Sequence, residues 1–407
     1  MLRHLQSLPA DHLPRMYSTA LNSILSPSRV LADELNARYC QSVGNQLGYL
    51  ISKHDSPSLI LSKMRGAFPS DVVEYNRDLK TRCESVSEYP VTNYAPQLHA
   101  LHYEWYFTAA AALEVSREFL SDQTVAVCIG VPTVASAAIK QGKNVIFVDK
   151  NAHSLMRFPD LMRASEVHIM DALQGKRLNL KSDVIIFDAP WYVADILAWL
   201  EVASRVVRPG GMIVFALFPP LVRATATLER DLILDLASAV GRVDVIEDAL
   251  AYETPLFEHE ALKACRVHIG DWRYGDLVVI KGAKPIASAF PAAPRRVDVD
   301  GAWQTFVIGP QVVKLRNATT ERSYSFLTPV ADSFLFPAVS ARNGSRERIH
   351  VWSSKNRVAS VGDSQALSEI LDRLAEGDCL DSVVRGYENR FGKQIGSQLG
   401  AFLGLES

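Results

Sequence analysis

The run Val184-Ile185-Ile186-Phe187-Asp188-Ala189-Pro190-Trp191-Tyr192 decides how the middle of the chain is interpreted. Its apolar first part, rich in β-branched residues, predicts a buried strand, and the polar Asp188 ends that strand. The acidic side chain and the backbone carbonyl of Ala189 can both accept hydrogen bonds from an amino group. Pro190 stiffens the turn, and the rings of Trp191 and Tyr192 offer a stacking face. The run therefore predicts a site for an amino nitrogen at a strand end.

Short β-branched strands alternate with helices on both sides of this run, from Gln123 onward. Such alternation predicts an α/β fold with a parallel, Rossmann-like sheet covered by helices on both faces. The predicted strands are Thr124–Ile129, Asn144–Val148, Val167–Met170, Asp183–Phe187, Met212–Leu217, Val243–Ala249 and Asp276–Lys281.

The sequence predicts four regions. Residues 1–97 form an N-terminal helical region, and the three-to-four-residue apolar spacing continues as a predicted helix over Leu98–Leu120. Residues 98–284 form the Rossmann-like domain, and 285–299, rich in Pro, Ala and basic residues, form a linker. Residues 300–407 form a small α+β module.

This C-terminal module places strands before helices, as winged-helix-like or PqqD-like modules do. Its predicted elements are strands at Trp303–Ile308, Gln311–Leu315, His350–Trp352 and Arg357–Val361 and helices at Ser364–Ala375 and Cys379–Gly386. A protein or peptide partner is expected for it. Phosphate contacts or a solvated basic loop are alternative roles for its basic residues Arg342, Arg346, Arg348, Lys355 and Arg357.

The composition limits the classes of function. The chain has 407 residues, 48% hydrophobic and 22% charged, and a formal net charge of -2, so no overall basic field attracts nucleic acid. The five cysteines lack CxxC spacing, which argues against a zinc site and a disulfide framework, and no metal site is predicted. A cytoplasmic location is expected, and the lack of a long apolar window argues against a membrane partner.

The residues after the first strands predict the cofactor. Gly130 is followed by Val131 and Pro132, where a dinucleotide-binding fold would carry G-x-G-x-x-G. This loop favours S-adenosylmethionine over a dinucleotide. Asp149 ends the second strand, where it can accept hydrogen bonds from ribose hydroxyls, and Asp171 follows the third, where it can accept from an adenine amino group. The alternative for each aspartate is a helix cap or an Asx turn.

Three segments carry a resemblance to a known family. They are Glu104-Trp105-Tyr106-Phe107-Thr108, Val131-Pro132-Thr133-Val134 and Asp188-Ala189-Pro190-Trp191-Tyr192, with a weaker match at Glu258-His259-Glu260. They resemble the F-W-Y-S, proline-loop, D-P-P-Y/F and N-E-F segments of the probable N6-adenine methyltransferase-like proteins, which include lysine methyltransferases acting on elongation factor 1A. The likeness covers about residues 98 to 282 and departs at Ala189, where the family has proline.

The resemblance implies a seven-stranded S-adenosylmethionine-dependent methyltransferase sheet and methyl transfer to an amino nitrogen of a protein lysine, adenine or a small amine. Asp188 would orient the nitrogen, and Trp191 or Tyr192 would flank the acceptor. Trp105 or Tyr106 would contact the cofactor, with a core role as the alternative.

Three other functions remain open on the sequence. Branched-polyamine aminopropyltransferases carry a similar motif after strand four, but they have acidic residues in the strand-one loop that Ile129–Pro132 lacks. A non-catalytic scaffold is the second alternative, motivated by Ala189 and the missing glycines. A nicotinamide oxidoreductase is the third, and the missing glycines disfavour it.

Overall fold

A computed structural model describes residues 97–404, except 103, 175–179, 221, 223–224, 260–270, 272, 287–289, 291–302, 317–324, 332 and 337–343. The predicted helical region therefore lies outside the described residues apart from Gln97, as do Glu260, Arg342 and most of the predicted linker.

The described part divides into two compact units that interleave along the chain, whereas the sequence predicts contiguous domains. The first contains Trp105–Thr254 and the described residues of His268–Arg295. The second contains the described residues of Ser87–Glu104, Pro255–Val267 and Arg296–Ser407.

The first unit is built on a seven-stranded sheet in the order β3-β2-β1-β4-β5-β7-β6. Its strands are β1 Val125–Ile129, β2 Asn144–Asp149, β3 Glu166–Ile169, β4 Ser182–Phe187, β5 Val207–Leu217, β6 Arg242–Ala251 and β7 Tyr274–Lys281. Neighbouring strands are parallel except that β7 is antiparallel to both β5 and β6. All seven predicted strands are present. The predicted Rossmann-like sheet of the methyltransferase type is confirmed.

Helices cover both faces of this sheet, because its central strands are apolar on both sides. They are α1 Ala109–Phe119, α2 Pro132–Lys140, α3 His153–Arg157, α4 Val193–Val206 and α5 Ala226–Ser238. One core packs α4 and α5 on one face, and a second packs α1 and α2 on the other.

The prediction of one continuous helix over Leu98–Leu120 is wrong, because the described residues between His102 and Ala109 are not helical. Only the 3-10 turn Ala100–His102 and α1 are helical. Between them Phe107 forms an antiparallel bridge with Tyr252, and the N–H of Thr108 donates to the carbonyl of Ala251 at 2.9 Å. Backbone pairing with a segment far along the chain outweighs the local helical spacing.

The second unit contains an antiparallel five-stranded sheet in the order β10-β12-β11-β9-β8, packed against helices. Its elements are β8 Trp303–Ile308, β9 Gln311–Arg316, β10 Leu327–Pro329, β11 Val351–Ser353, β12 Val358–Val361, α6 Ser364–Ala375, α7 Leu380–Arg385, α8 Glu388–Phe391 and α9 Gln394–Leu403. The predicted elements are present within two residues, and β10, α8 and α9 were not predicted.

Two of the basic residues of this unit bind its own backbone. Arg348 donates to the carbonyl of Val330 at 3.2 Å, and Arg357 donates to that of Ala401. These contacts give both side chains a structural role. Among the described residues, none of the helices combines the length and apolar character needed to cross a bilayer.

Candidate active site

The topology brings five strand ends to one edge of the first unit. The parallel strands β1, β2 and β4 lead at their carboxyl ends to Gly130, Asp149 and Asp188. Because β7 runs antiparallel, it begins at that same edge, directly after Arg273, and β6 ends there at Tyr252. The strand order reverses between β1 and β4, where ligands bind in open α/β sheets. This edge is therefore the candidate site.

Asp188 follows β4 and is one of the acidic groups at this edge. Burial raises the pKa of Asp188 from 3.8 to about 7, although the Tyr252 hydroxyl, the positive charge of Arg273 and the Trp191 indole N–H each lower it. Part of the side chain still reaches the surface. Asp188 is thus a carboxyl group that gains and loses its proton near neutral pH, as a general base requires.

Tyr252 is buried beside Asp188. Its side chain is 1% exposed, and edge-on contacts with Phe107 and Trp191 hold its ring at centroid distances of 4.9 and 5.5 Å. Its hydroxyl has no hydrogen-bond partner of normal geometry among the described residues. Burial, followed by the negative charge of Asp188, raises the pKa of Tyr252 well above its usual value. The hydroxyl therefore stays protonated and available as a donor.

Gly275 leaves space for the rings of Trp191 and Tyr252. A Cβ atom at Gly275 would lie 3.2 Å from Cζ2 of Trp191 and 3.2 Å from Cε2 of Tyr252. Any larger residue in this position of β7 would press on both rings. The glycine thus permits the close approach of Trp191 and Tyr252.

Arg273 links two of the predicted site residues. Its guanidinium carbon lies 3.6 Å from the ring centre of Trp105 and 5.1 Å from that of Trp191. Trp105 reaches this position because its segment is extended and pairs beside β6, where the N–H of Glu253 donates to the carbonyl of Tyr106 at 2.8 Å. The structure therefore brings Trp105 and Trp191 together through a cation.

Tyr106 lies next to an ion pair. Its side chain is buried, 5.2 Å from the Phe158 ring, and Arg157 lies 5.4 Å from its ring centre. Arg157 also pairs with Glu253 at 3.6 Å. Burial raises the pKa of Glu253, with Arg157 opposing and Asp271 adding to the rise.

The loop after β1 is shaped by a single glycine. Gly130 has a φ of +62°, and a Cβ there would lie 2.9 Å from Cη2 of Trp199 and 3.7 Å from the carbonyl oxygen of Asp188. The two strand ends are thus in close approach. Val131 and Pro132 are buried, and α2 begins at Pro132 with no side-chain cap and no acidic residue in its first turn. The free N–H groups of that turn favour an anionic group.

Asp149 and Asp171 each form the predicted Asx turn. Oδ1 of Asp149 accepts from the N–H of Asn151 at 2.8 Å, and Oδ1 of Asp171 accepts from the N–H of Leu173 at 2.9 Å. Each bond uses one of the two carboxylate oxygens. Burial also raises the pKa of Asp149 to about 6. Both residues lie at the carboxyl ends of their strands, where their cofactor role stays a prediction.

Ala189, Pro190 and Tyr192 also occupy structural positions, and their predicted part in the site stays a prediction. Ala189 is 2% exposed and lies in the hydrophobic core. The N–H of Tyr192 donates to the carbonyl of Pro190 at 2.6 Å, and Tyr192 is the N-cap residue of α4. The turn at Pro190 therefore tightens the entry into the helix.

Sequence reasoning missed Tyr252, Arg273 and Gly275. The sixth strand was predicted to end at Ala249 but runs to Ala251. Tyr252 and Glu253 come directly after this strand, as Asp188 and Trp191 come after β4. An aromatic and an acidic residue at a strand end is therefore the signal that could have indicated Tyr252. Of the expected match at Glu258-His259-Glu260, the residues Glu258 and His259 belong to the second unit, and the match stays a prediction.

No family model matches this chain, and no curated protein matches it. Distant likenesses to solved structures exist. A branched-chain polyamine synthase from Thermus thermophilus is 12% identical, with 70% of this chain and 96% of that chain covered and a TM-score of 0.43. The N-methyltransferase NodS from Bradyrhizobium japonicum is 14% identical, with coverages of 44% and 86% and a TM-score of 0.28. The 16S rRNA N2 G1207 methyltransferase from Thermus thermophilus is 12% identical, with coverages of 50% and 45% and a TM-score of 0.28.

Proposed function

We propose that this chain is an S-adenosylmethionine-dependent N-methyltransferase whose acceptor amine binds at Asp188. One observation carries the proposal. Asp188 lies at the switch point of a methyltransferase-type sheet, in close approach to Gly130, and burial raises its pKa to about 7. A carboxylate in that position can hold an amine at the edge where the cofactor is expected.

The residues around Gly130 fit S-adenosylmethionine. The uncapped first turn of α2 suits the carboxylate of its methionine part, and the second carboxylate oxygen of Asp149 suits the ribose hydroxyls. When bound, the cofactor supplies an electrophilic methyl group on a sulfonium. The same first turn lacks an acidic residue for the ammonium of decarboxylated S-adenosylmethionine, so the residues favour methyl over aminopropyl transfer.

Asp188 performs the proton chemistry in this proposal. Its carboxylate accepts a hydrogen bond from the acceptor N–H, which turns the nitrogen lone pair toward the methyl carbon. S-adenosylmethionine would supply its methyl group to that nitrogen and would leave as a neutral thioether, so the electron pair of the S–C bond would stay on sulfur. The proton that the nitrogen loses moves to Asp188, and a pKa near 7 makes this carboxyl a better base than an ordinary aspartate.

The aromatic residues exclude water and hold the acceptor. Trp191 packs against both hydrophobic cores while part of its ring stays exposed. Its exposed part offers a flat surface to an aromatic base or to the alkyl stem of a lysine. The proposal leaves protein lysine, adenine and small amines as acceptor classes.

The test is a calorimetric titration of the whole chain with S-adenosylmethionine, followed by transfer of a labelled methyl group in a cell lysate. We expect the chain to bind the cofactor. We also expect the labelled methyl group to appear in the protein, the nucleic-acid or the small-molecule fraction of the lysate, and the labelled fraction identifies the class of acceptor. Asp188→Asn should keep binding and lower transfer by roughly 10²- to 10⁴-fold. Absence of binding at millimolar cofactor would contradict the proposal, and binding of decarboxylated S-adenosylmethionine alone would favour aminopropyl transfer.

A further inference from the structure

Tyr252 is a residue whose burial the packing alone does not explain. It is among the largest fully buried side chains of the described part, yet its hydroxyl lacks a hydrogen-bond partner there. A buried hydroxyl without a partner costs about 1–3 kcal/mol, and phenylalanine would fill the same space without that loss. An unmade hydrogen bond at such a position indicates a bond that forms in another state of the site.

The surroundings of the ring leave it little freedom to point elsewhere. Phe107 and Trp191 contact it edge-on, and the missing side chain of Gly275 admits its Cε2 edge. The backbone on both sides is also fixed, because the N–H of Tyr252 donates to the carbonyl of Arg273 at 3.0 Å. The hydroxyl is therefore held in one place, and Asp188 is among the groups that it acts on there.

The polar and charged groups that act on Asp188 and Tyr252 are few among the described residues. For Asp188 they are the Tyr252 hydroxyl, Arg273 and the Trp191 indole N–H, and for Tyr252 they are Asp188, Arg273 and the same indole. Tyr252 and Asp188 thus act directly on each other's pKa.

We propose that Tyr252 is a positioning residue whose hydroxyl donates a hydrogen bond to one oxygen of the Asp188 carboxylate when that carboxylate is ionised. The bond fixes the rotation of the carboxylate and leaves its other oxygen for the acceptor amine. It also stabilises the ionised form, which keeps the base competent near neutral pH. The role of this bond in positioning the base rests on the proposed function, whereas the formation of the bond does not depend on it.

The first test needs no substrate. A double-mutant cycle of Asp188→Asn and Tyr252→Phe compares unfolding equilibria at pH 8 and pH 5. We expect a coupling of about tenfold in the unfolding constant at pH 8, where the carboxyl is ionised, and a smaller one at pH 5. Equal coupling at both pH values, or none, would overturn the proposal. Tyr387→Phe, which removes a 2.9 Å hydrogen bond to Glu369 in the other unit, is the matched control and should show no coupling to Asp188.

The second test uses labelled S-adenosylmethionine and the acceptor fraction that takes up label. Tyr252→Phe should keep the affinity for the cofactor, lower kcat by roughly tenfold at pH 7 and move the acidic limb of the rate profile to higher pH. A purely structural role for the ring would leave that limb in place, because phenylalanine keeps the ring. If the unchanged chain transfers no label while the pH-dependent coupling is present, the proposed function fails and the Asp188–Tyr252 bond stands.

Discussion

The guanidinium carbon of Arg273 lies 3.6 Å from the centre of the Trp105 ring. This contact joins the start of β7 to the extended segment before α1, two parts of the chain that pair on either side of Tyr252. It holds a positive charge beside Asp188, where that charge favours the ionised carboxylate. Trp105 therefore acts on the candidate base through Arg273.

Trp105→Leu should weaken this arrangement. The substitution removes the ring under the cation, an interaction of about 0.5–2 kcal/mol. We expect a loss of stability in that range and a rise in the apparent pKa of the acidic limb of the rate profile, because Arg273 is held less firmly near Asp188. Trp303→Leu, which removes the ring beside Arg316 in the other unit, is the control. It should leave the rate profile unchanged, and a Trp105→Leu profile identical to it would contradict this role.

The raised pKa of Asp188 makes a signed prediction for stability. Its value of about 7 in the folded protein exceeds the ordinary 3.8, so its contribution to stability is full below about pH 4 and is lost as the pH rises through 7. As the pH rises from 4 to 8, the free energy of unfolding of Asp188→Asn should therefore increase relative to that of the unchanged chain. The increase over this range should be on the order of 2–4 kcal/mol. Chemical unfolding across this range measures the difference.

Asp183 supplies a control of opposite sign for that measurement. The N–H of Val125, which donates to Asp183 at 2.9 Å, and then Arg208 hold the pKa of this carboxyl below its usual value, against the effect of burial. Its contribution to stability is present at neutral pH and lost as the pH falls. Asp183→Asn should thus be destabilising at pH 7 and less so in acid. The same pH trend in both variants would show that the environment of Asp188 is misassigned.

Gly275→Ala should affect activity more than folding. The new Cβ would lie 3.2 Å from both Trp191 and Tyr252, which forces one ring to move. Such overpacking costs about 1–3 kcal/mol. Both rings carry a group that acts on Asp188, the Tyr252 hydroxyl and the Trp191 indole N–H, so a shift of either ring disturbs that carboxyl. We expect a folded protein with reduced kcat, measured by labelled methyl transfer. In Gly396→Ala the nearest atom to the new Cβ would be 3.5 Å away, so that variant should keep full activity.

Local signals in the sequence predict one half of the site. Gly130 and Asp188 follow apolar β-branched runs, and the end of a run can be read from adjacent residues. Tyr252 follows β6 and Arg273 precedes β7, and the backbone hydrogen bond between these two residues extends the antiparallel pairing of the strands. That pairing depends on register and not on either segment alone, so the sequence does not reveal it. The helix predicted across Trp105–Phe107 failed for the same reason.

A buried ion pair fixes the end of β6 that presents Tyr252. Asp276, 2% exposed, pairs with Arg230 at 2.7 Å and accepts a hydrogen bond at 2.8 Å from the N–H of Asp248, which lies at the irregularity in β6. Asp276→Asn should lower the free energy of unfolding by about 3–5 kcal/mol, because Arg230 would remain buried without its counter-charge.

Asp244 on the neighbouring strand provides the matched comparison, because its pair with Lys281 at 3.0 Å is exposed. Asp244→Asn should change the free energy of unfolding by less than about 1 kcal/mol. Both variants are measured by chemical unfolding at pH 7. An equal effect of the two substitutions would mean that the Arg230–Asp276 pair is not desolvated.

Gly130→Ala tests the approach of β1 to β4 at the switch point. Two effects add there: the φ of +62° costs alanine about 1–2 kcal/mol, and the Cβ meets Trp199 at 2.9 Å. Gly142→Ala carries the first effect alone, because its φ is +76° with no atom within 4 Å of the new Cβ. The difference in unfolding free energy between the two variants therefore isolates the contact with Trp199. Adding Trp199→Leu to Gly130→Ala should recover that difference in unfolding free energy and part of the affinity for S-adenosylmethionine. Equal stability of Gly130→Ala and Gly142→Ala would instead show that the Trp199 side chain moves aside at no cost and that the loop after β1 is not held against β4.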